Sequence, residues 1–352
     1  FSFRCFVLIS FQIQFLSLSL SLKPIKMSDG GLTVLDGTHV RAVNLFLPES
    51  DDIVTGAQVL ELAESRASSV LFGLSLPESL KSSALKRLDV DSVSFRHTEL
   101  DRDQASSKLK EYVTAIADEL NDDPLVVAIL DGKTLQLFME DEDDFAMLAE
   151  NLFTDLDTED KGKISKNEIR NALVHMGVDM GIPPFSEFPL LNDILKKHGA
   201  EGEEELGQAQ FAQVLQTVLQ DLADALAKKH VVVIQNIKII NGSKLRKLLA
   251  SEKELNHVIE KILQEKHNEK DGQRSTEIIR GFLEKNGKEL GLPPSEADES
   301  VVLLYDAVFA DVENQKCAAG LENDELRVLV KKILEKFAEQ LEANPVFHDL
   351  GN

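Results

Sequence analysis

From Phe211 onward the apolar positions fall at Val214, Leu215, Val218, Leu219, Leu222 and Leu226, three or four residues apart. That spacing returns to one side of a helix at every turn, so it predicts a long amphipathic helix with one buried face. Leu326, Leu329, Val330, Ile333, Leu334, Phe337 and Leu341 draw the same stripe later in the chain, and Leu109, Tyr112, Val113, Ile116 and Leu120 draw it earlier. Ahead of each stripe lies a short apolar run closed by Asp-Gly or Asn-Gly: "LTVLDG" (32–37), "LVVAILDG" (125–132) and "VVVIQNIKIING" (231–242). Runs this short, rich in β-branched residues and bounded by a turn pair, read as strands. They either pair with one another or serve as buried connectors, two states that share one pattern. Between each strand and its long helix the pattern predicts further amphipathic helices, about 10 to 18 residues each.

The three stretches are copies of one unit. Ile129 to Phe153 aligns with Ile239 to Leu263, and the same offset of 110 residues carries Gly132 to Gly242, Gly162 to Gly272, and "MGIPPFSE" to "LGLPPSEA". A fainter copy precedes them, from "LTVLDG" through "GLSLPES" (73–79), and the three close alike on "ADEL" at Ala117, "ADAL" at Ala223 and "AEQL" at Ala338. A period of this length marks a repeated supersecondary unit rather than one long helix. The expected fold is therefore all-α: three degenerate helical repeats of about 110 residues, at 31–124, 125–230 and 231–352, with short β segments in loops and between units. A length of 352 residues independently suggests two or three domains.

Composition narrows the function. With 43% apolar and 28% charged residues the chain is neither disordered nor multispanning. Its 38 Lys and Arg against 61 Asp and Glu leave a net charge of −23, which repels phosphate backbones and anionic lipid, so neither nucleic acid nor a membrane is an expected partner. Residues 1–26 are apolar, with Ser and Leu alternating from Leu16 to Leu22, no small-residue cleavage site, and Met27 directly after. They read as a translated leader or disordered segment ahead of a start at Met27, rather than as a targeting signal. Without them the net charge is −26, and Cys317 is the one remaining thiol. No intrachain disulfide can then form, and a reducing, cytoplasmic location is expected.

One stretch carries chemistry. A helix bearing Phe145, Leu148, Leu152 and Phe153 runs into Asp157-Thr158-Glu159-Asp160-Lys161-Gly162-Lys163-Ile164-Ser165-Lys166-Asn167-Glu168, and a second helix follows with Ile169, Ala172, Leu173 and Met176 on its apolar side. This resembles the EF-hand, in which a 12-residue loop between two helices collects oxygens from positions 1, 3, 5, 7 and 9 and a bidentate Glu at 12. The resemblance implies Ca2+ held by Asp157, Glu159, the Lys163 carbonyl, Ser165 through a water, and Glu168, with the sharp turn at Gly162. Ile164 would pair this loop with a neighbour. Two positions depart from the pattern: Glu159 has a methylene too many, and Lys161 stands where an oxygen is wanted. Lys161 is expected to turn into solvent and leave its place to water. The loop's net charge of −1 predicts affinity near the weak end of the range, about 10⁻⁴ to 10⁻³ M.

The other loops are more worn. "HGAEGEEELGQAQF" supplies Leu206 as the pairing residue but Gln210 at the last ligand position, and its glutamates read as a solvated face. In the third repeat "EKHNEKDGQRSTE" is one residue short and "DVENQKCAAGLENDE" three too long; in the first, Phe95 and Glu99 keep the spacing without ligands. The pattern as a whole is similar to tandem EF-hand proteins of plants. It implies a calcium sensor or weak buffer with a protein target; the alternative is a calcium-independent helical scaffold that keeps the fold of vestigial hands. An enzyme is not expected, because the eight His residues are scattered singly and no nucleophile stands beside an obvious base.

Overall fold

The structure, a computed structural model, describes residues 32–47, 53–268, 274–296, 299–313 and 323–350. Fifteen helices take up 66% of these residues, and the strands between them are short and antiparallel. The first repeat contains β1 (Leu32–Leu35), α1 (Thr38–Arg41), β2 (Ile53–Thr55), α2 (Gly56–Val70), α3 (Glu78–Arg87), α4 (Ser92–Arg96), β3 (Glu99–Asp101) and α5 (Arg102–Asp122). In the second are β4 (Leu125–Leu130), α6 (Lys133–Glu140), α7 (Glu142–Leu156), β5 (Ile164–Ser165), α8 (Glu168–Met176), α9 (Leu190–Lys197), β6 (Glu205–Leu206) and α10 (Gln208–Lys228). The third begins with β7 (Val231–Ile234) and β8 (Ile237–Ile240) and continues through α11 (Ser243–Ala250), α12 (Glu252–Asn268), α13 (Ser275–Leu290), α14 (Glu299–Glu313), α15 (Asn323–Ala343) and β9 (Val346–Asp349).

The apolar runs do pair. β4 is the middle of a three-stranded sheet, with Val34 opposite Val126 on one side and Val232 opposite Ile129 on the other. β4 therefore ends the first repeat and begins the second. Between the second and third repeats that sharing stops: β7 pairs back to β4, whereas β8 pairs with the final strand β9, Ile240 opposite Val346. The chain divides at this point into two compact units, one holding the described residues of 32–118 and 125–235, the other those of 119–124 and 236–350. The division falls after β7, which hydrogen bonds to β4 within the first of these units.

The two signatures that revealed the repeat meet in space. Asp36, Asp131 and Asn241 each accept a hydrogen bond from the backbone N–H two residues on, at 2.9, 3.1 and 3.1 Å, closing an Asx turn just ahead of α1, α6 and α11. The glycine after each presses on the closing alanine of its own repeat. A β-carbon on Gly37, Gly132 or Gly242 would lie 1.9, 2.4 or 2.8 Å from the carbonyl oxygen of Ala117, Ala223 or Ala338. The predicted stripes are the cores: Phe211, Leu215, Val218, Leu219, Leu222 and Leu226 are fully buried, as are Leu326, Val330, Ile333, Leu334, Phe337 and Leu341.

Several expected features fall outside the described residues: the leader 1–26, Cys317, and much of the two third-repeat loops, at 269–273 and 314–322. Among the described residues no helix is long and apolar enough to cross a membrane.

Candidate functional site

The stretch at 157–168 lies between two helices, α7 ending at Leu156 and α8 beginning at Glu168. Burial of Phe145, Leu148, Leu152 and Phe153 on α7, and of Ile169, Ala172, Leu173 and Met176 on α8, fixes both helices in the core of the second repeat. The loop coils around one carboxylate. Asp157 accepts hydrogen bonds from the backbone N–H of Lys161 at 2.9 Å and of Gly162 at 2.7 Å. Gly162 has a φ of 68°, in the left-handed region where a side chain is strained. Ile164 then pairs with Leu206 across a two-residue ladder, so α7–α8 and α9–α10 form two helix–loop–helix elements joined at their loops.

The remaining candidate ligands are engaged separately. The Lys161 ammonium has not gone to solvent alone; it rests on the Glu159 carboxylate, which holds the lysine above its ordinary pKa. The Ser165 hydroxyl donates to the Gly202 carbonyl oxygen at 3.0 Å, and Glu168 accepts from the Asn171 side chain at 2.8 Å. Lys163 places its ammonium 3.6 Å from Glu205. Among the described residues no three His, Cys, Asp or Glu side chains gather where a metal ion could lie, so Asp157, Glu159 and Glu168 do not converge here.

Gln210, at the last ligand position of the second loop, does a different job, which Gln58 and Gln104 share. Gln210 accepts from the N–H of Gly207 at 3.1 Å, Gln58 from that of Thr55 at 2.8 Å, and Gln104 from that of Asp101 at 3.2 Å. Glu277 does the same for Arg274 at 3.3 Å. Each caps the first turn of a helix from its third residue. The signal was present in the sequence as Thr-x-x-Gln and Asp-x-x-Gln. Gln210→Ala should therefore cost about 1 kcal/mol and lower the melting temperature by roughly 2–4 °C, and an unchanged melting curve would remove the capping role. The first repeat is corrected by the same geometry: Phe95 lies in α4, and the residue opposite Val54 is Leu100, not Phe95.

The glutamates of the second loop are exposed, as a solvated face requires, but they also have partners. Glu201, Glu203, Glu204 and Glu205 all reach side chains of residues 163–170: Arg170 at 3.7 Å, Asn167 at 3.2 Å, the Lys166 ammonium, and Lys163 at 3.6 Å. Asn167, which the ligand pattern passes over, also accepts from the Gly202 N–H at 2.9 Å.

Compared with known proteins, the chain matches no protein-family description, no curated protein and no solved structure.

Proposed function

We propose that this chain is a weak calcium-binding protein of the EF-hand kind, a sensor or buffer rather than an enzyme. The observation that carries the reading is the coupled pair of helix–loop–helix elements, with Ile164 opposite Leu206 and the 157–168 loop wound on the Asp157 carboxylate. Asp157, Glu159, the Lys163 carbonyl, Ser165 and Glu168 would hold the ion, whose chemistry here is charge and coordination alone.

Magnitudes decide whether the contacts that occupy these groups forbid binding. Breaking the hydrogen bond from Asn171 to Glu168 costs about 1 kcal/mol, or about a fivefold loss of affinity. Lys161 and Glu159 are more than half exposed, at 64% and 66%, and such pairs contribute little. A divalent ion can displace both contacts at the expense of affinity, which agrees with a dissociation constant of about 10⁻⁴ to 10⁻³ M. Calorimetric titration of the full chain with calcium should give heat in that range, and Glu168→Gln should abolish it. Lys161→Asn, which frees Glu159 and supplies an oxygen, should tighten binding by about tenfold. Absence of heat in the wild type and in Lys161→Asn alike would overturn the reading.

A second reading is favoured by the lack of convergence among the carboxylates: the pair is a calcium-independent scaffold for a protein target, closed by its own hydrogen bonds. It requires a melting temperature indifferent to calcium and to chelator.

A further inference from the structure

The run 201–205 meets the run 163–170 almost residue by residue and in antiparallel order. Beyond the Ile164–Leu206 pair, the Lys166 N–H donates to the Glu204 carbonyl at 2.9 Å, and both backbone groups of Gly202 are taken, its N–H by Asn167 and its carbonyl by Ser165. The charges follow the same order, with Glu205 on Lys163, Glu204 on Lys166 and Glu201 on Arg170. The first loop is rich in lysine at the places where a cation site wants none, while the second carries four glutamates and no basic residue between Ala200 and Gln210.

We propose that the second loop is the counter-charge of the first: an acidic clasp that joins the two loops without a metal and, by drawing Lys163 and Lys166 outward, sets the calcium affinity of the 157–168 loop. The clasp is a property of the metal-free chain, and its effect on affinity rests on the calcium reading above. With Lys163 and Lys166 paired across the ladder, Asp157, Asp160 and Glu168 are left as the uncompensated charges of the first loop. Removing Glu204 and Glu205 returns two ammonium groups to the neighbourhood of a divalent ion, without altering any group that would touch it. The positioning residues are therefore on a loop that lacks the ligand pattern itself.

Two measurements on the full chain separate the two statements. In chelator, the melting temperatures of wild type, Glu204→Gln, Lys166→Gln and the double variant form a cycle. The clasp predicts that each single change lowers the melting temperature, that the double variant is no worse than the poorer single, and that salt narrows the differences. Strictly additive losses, or losses indifferent to salt, would overturn it whether or not the protein binds calcium. With calcium alone as the probe, Glu204→Gln with Glu205→Gln should weaken binding by about tenfold at low salt. Glu150→Gln with Glu187→Gln, exposed acids of the same compact unit outside both loops, should change it less than about twofold. Equal losses in the two pairs would reduce the effect to net charge and overturn the role in affinity. A wild type without calcium heat would defeat the calcium reading and leave the melting cycle to decide the clasp.

Discussion

Gly132→Ala is expected to destabilise the chain by about 3 kcal/mol, far more than a methyl group at a surface turn would suggest. Two costs add. Gly132 has a φ of 86°, a conformation that costs an L residue about 1 kcal/mol. Its β-carbon would also lie 2.4 Å from the Ala223 carbonyl oxygen, backbone that can yield only by shifting α10 against α6, and overpacking of this kind costs about 1–3 kcal/mol. The melting temperature of the unit should fall by roughly 6–12 °C. Gly162→Ala is the control, because Gly162 shares the left-handed backbone but has open space where the methyl group would go; only the conformational cost of about 1 kcal/mol applies there. Equal losses at the two glycines would show that the contact with Ala223 does not bear on stability.

Phe211→Ala should cost about 3–5 kcal/mol, the largest loss expected from one side chain in the second repeat. Phe211 is fully buried at the start of α10 and packs edge to face on Phe153 of α7, with ring centroids 5.7 Å apart. It thus joins the last turn before one loop to the first turn after the other. Truncation leaves a cavity, loses the aromatic contact and loosens both helices that frame the 157–168 loop. The midpoint of urea denaturation should move down by far more than in Val174→Ala, an exposed position where a change within about 0.5 kcal/mol is expected. Comparable shifts would mean that α7 and α10 are not held through this pair.

The helices and the repeat were legible because they depend on local periodicity. The stripe from Phe211 to Leu226 names its own buried face, and only Val214 on it remains partly exposed. The Asp-Gly and "ADEL"-type signatures were visible separately, but that one packs on the other is a contact about 80 to 96 residues away in sequence, between Gly37 and Ala117, Gly132 and Ala223, and Gly242 and Ala338. Strand partners were hidden for the same reason: nothing in "IKII" specifies "VFHD" as its neighbour, since register is set by tertiary contact.

Charge was the least legible property. The carboxylate run at 201–205 has the composition of a solvated surface, and only its antiparallel approach to 163–170 shows that each of the four glutamates has a partner. Lys161 was legible as a defect in a cation site, yet its place on Glu159 is a choice among several nearby carboxylates that spacing does not make. Gln210 fails as a ligand by pattern, whereas the capping geometry it shares with Gln58 and Gln104 gives it a positive role at a helix start.

The most direct measurement is the amide resonance of Gly162 in the full chain as calcium is added. Its N–H donates to the Asp157 carboxylate, so an ion drawing on that carboxylate must alter the amide. A saturable shift is expected at Gly162 and Ile164 with a dissociation constant of about 10⁻⁴ to 10⁻³ M, absent with magnesium and lost in Glu168→Gln. Resonances unmoved by calcium in the millimolar range, or moved equally by magnesium, would contradict the calcium reading.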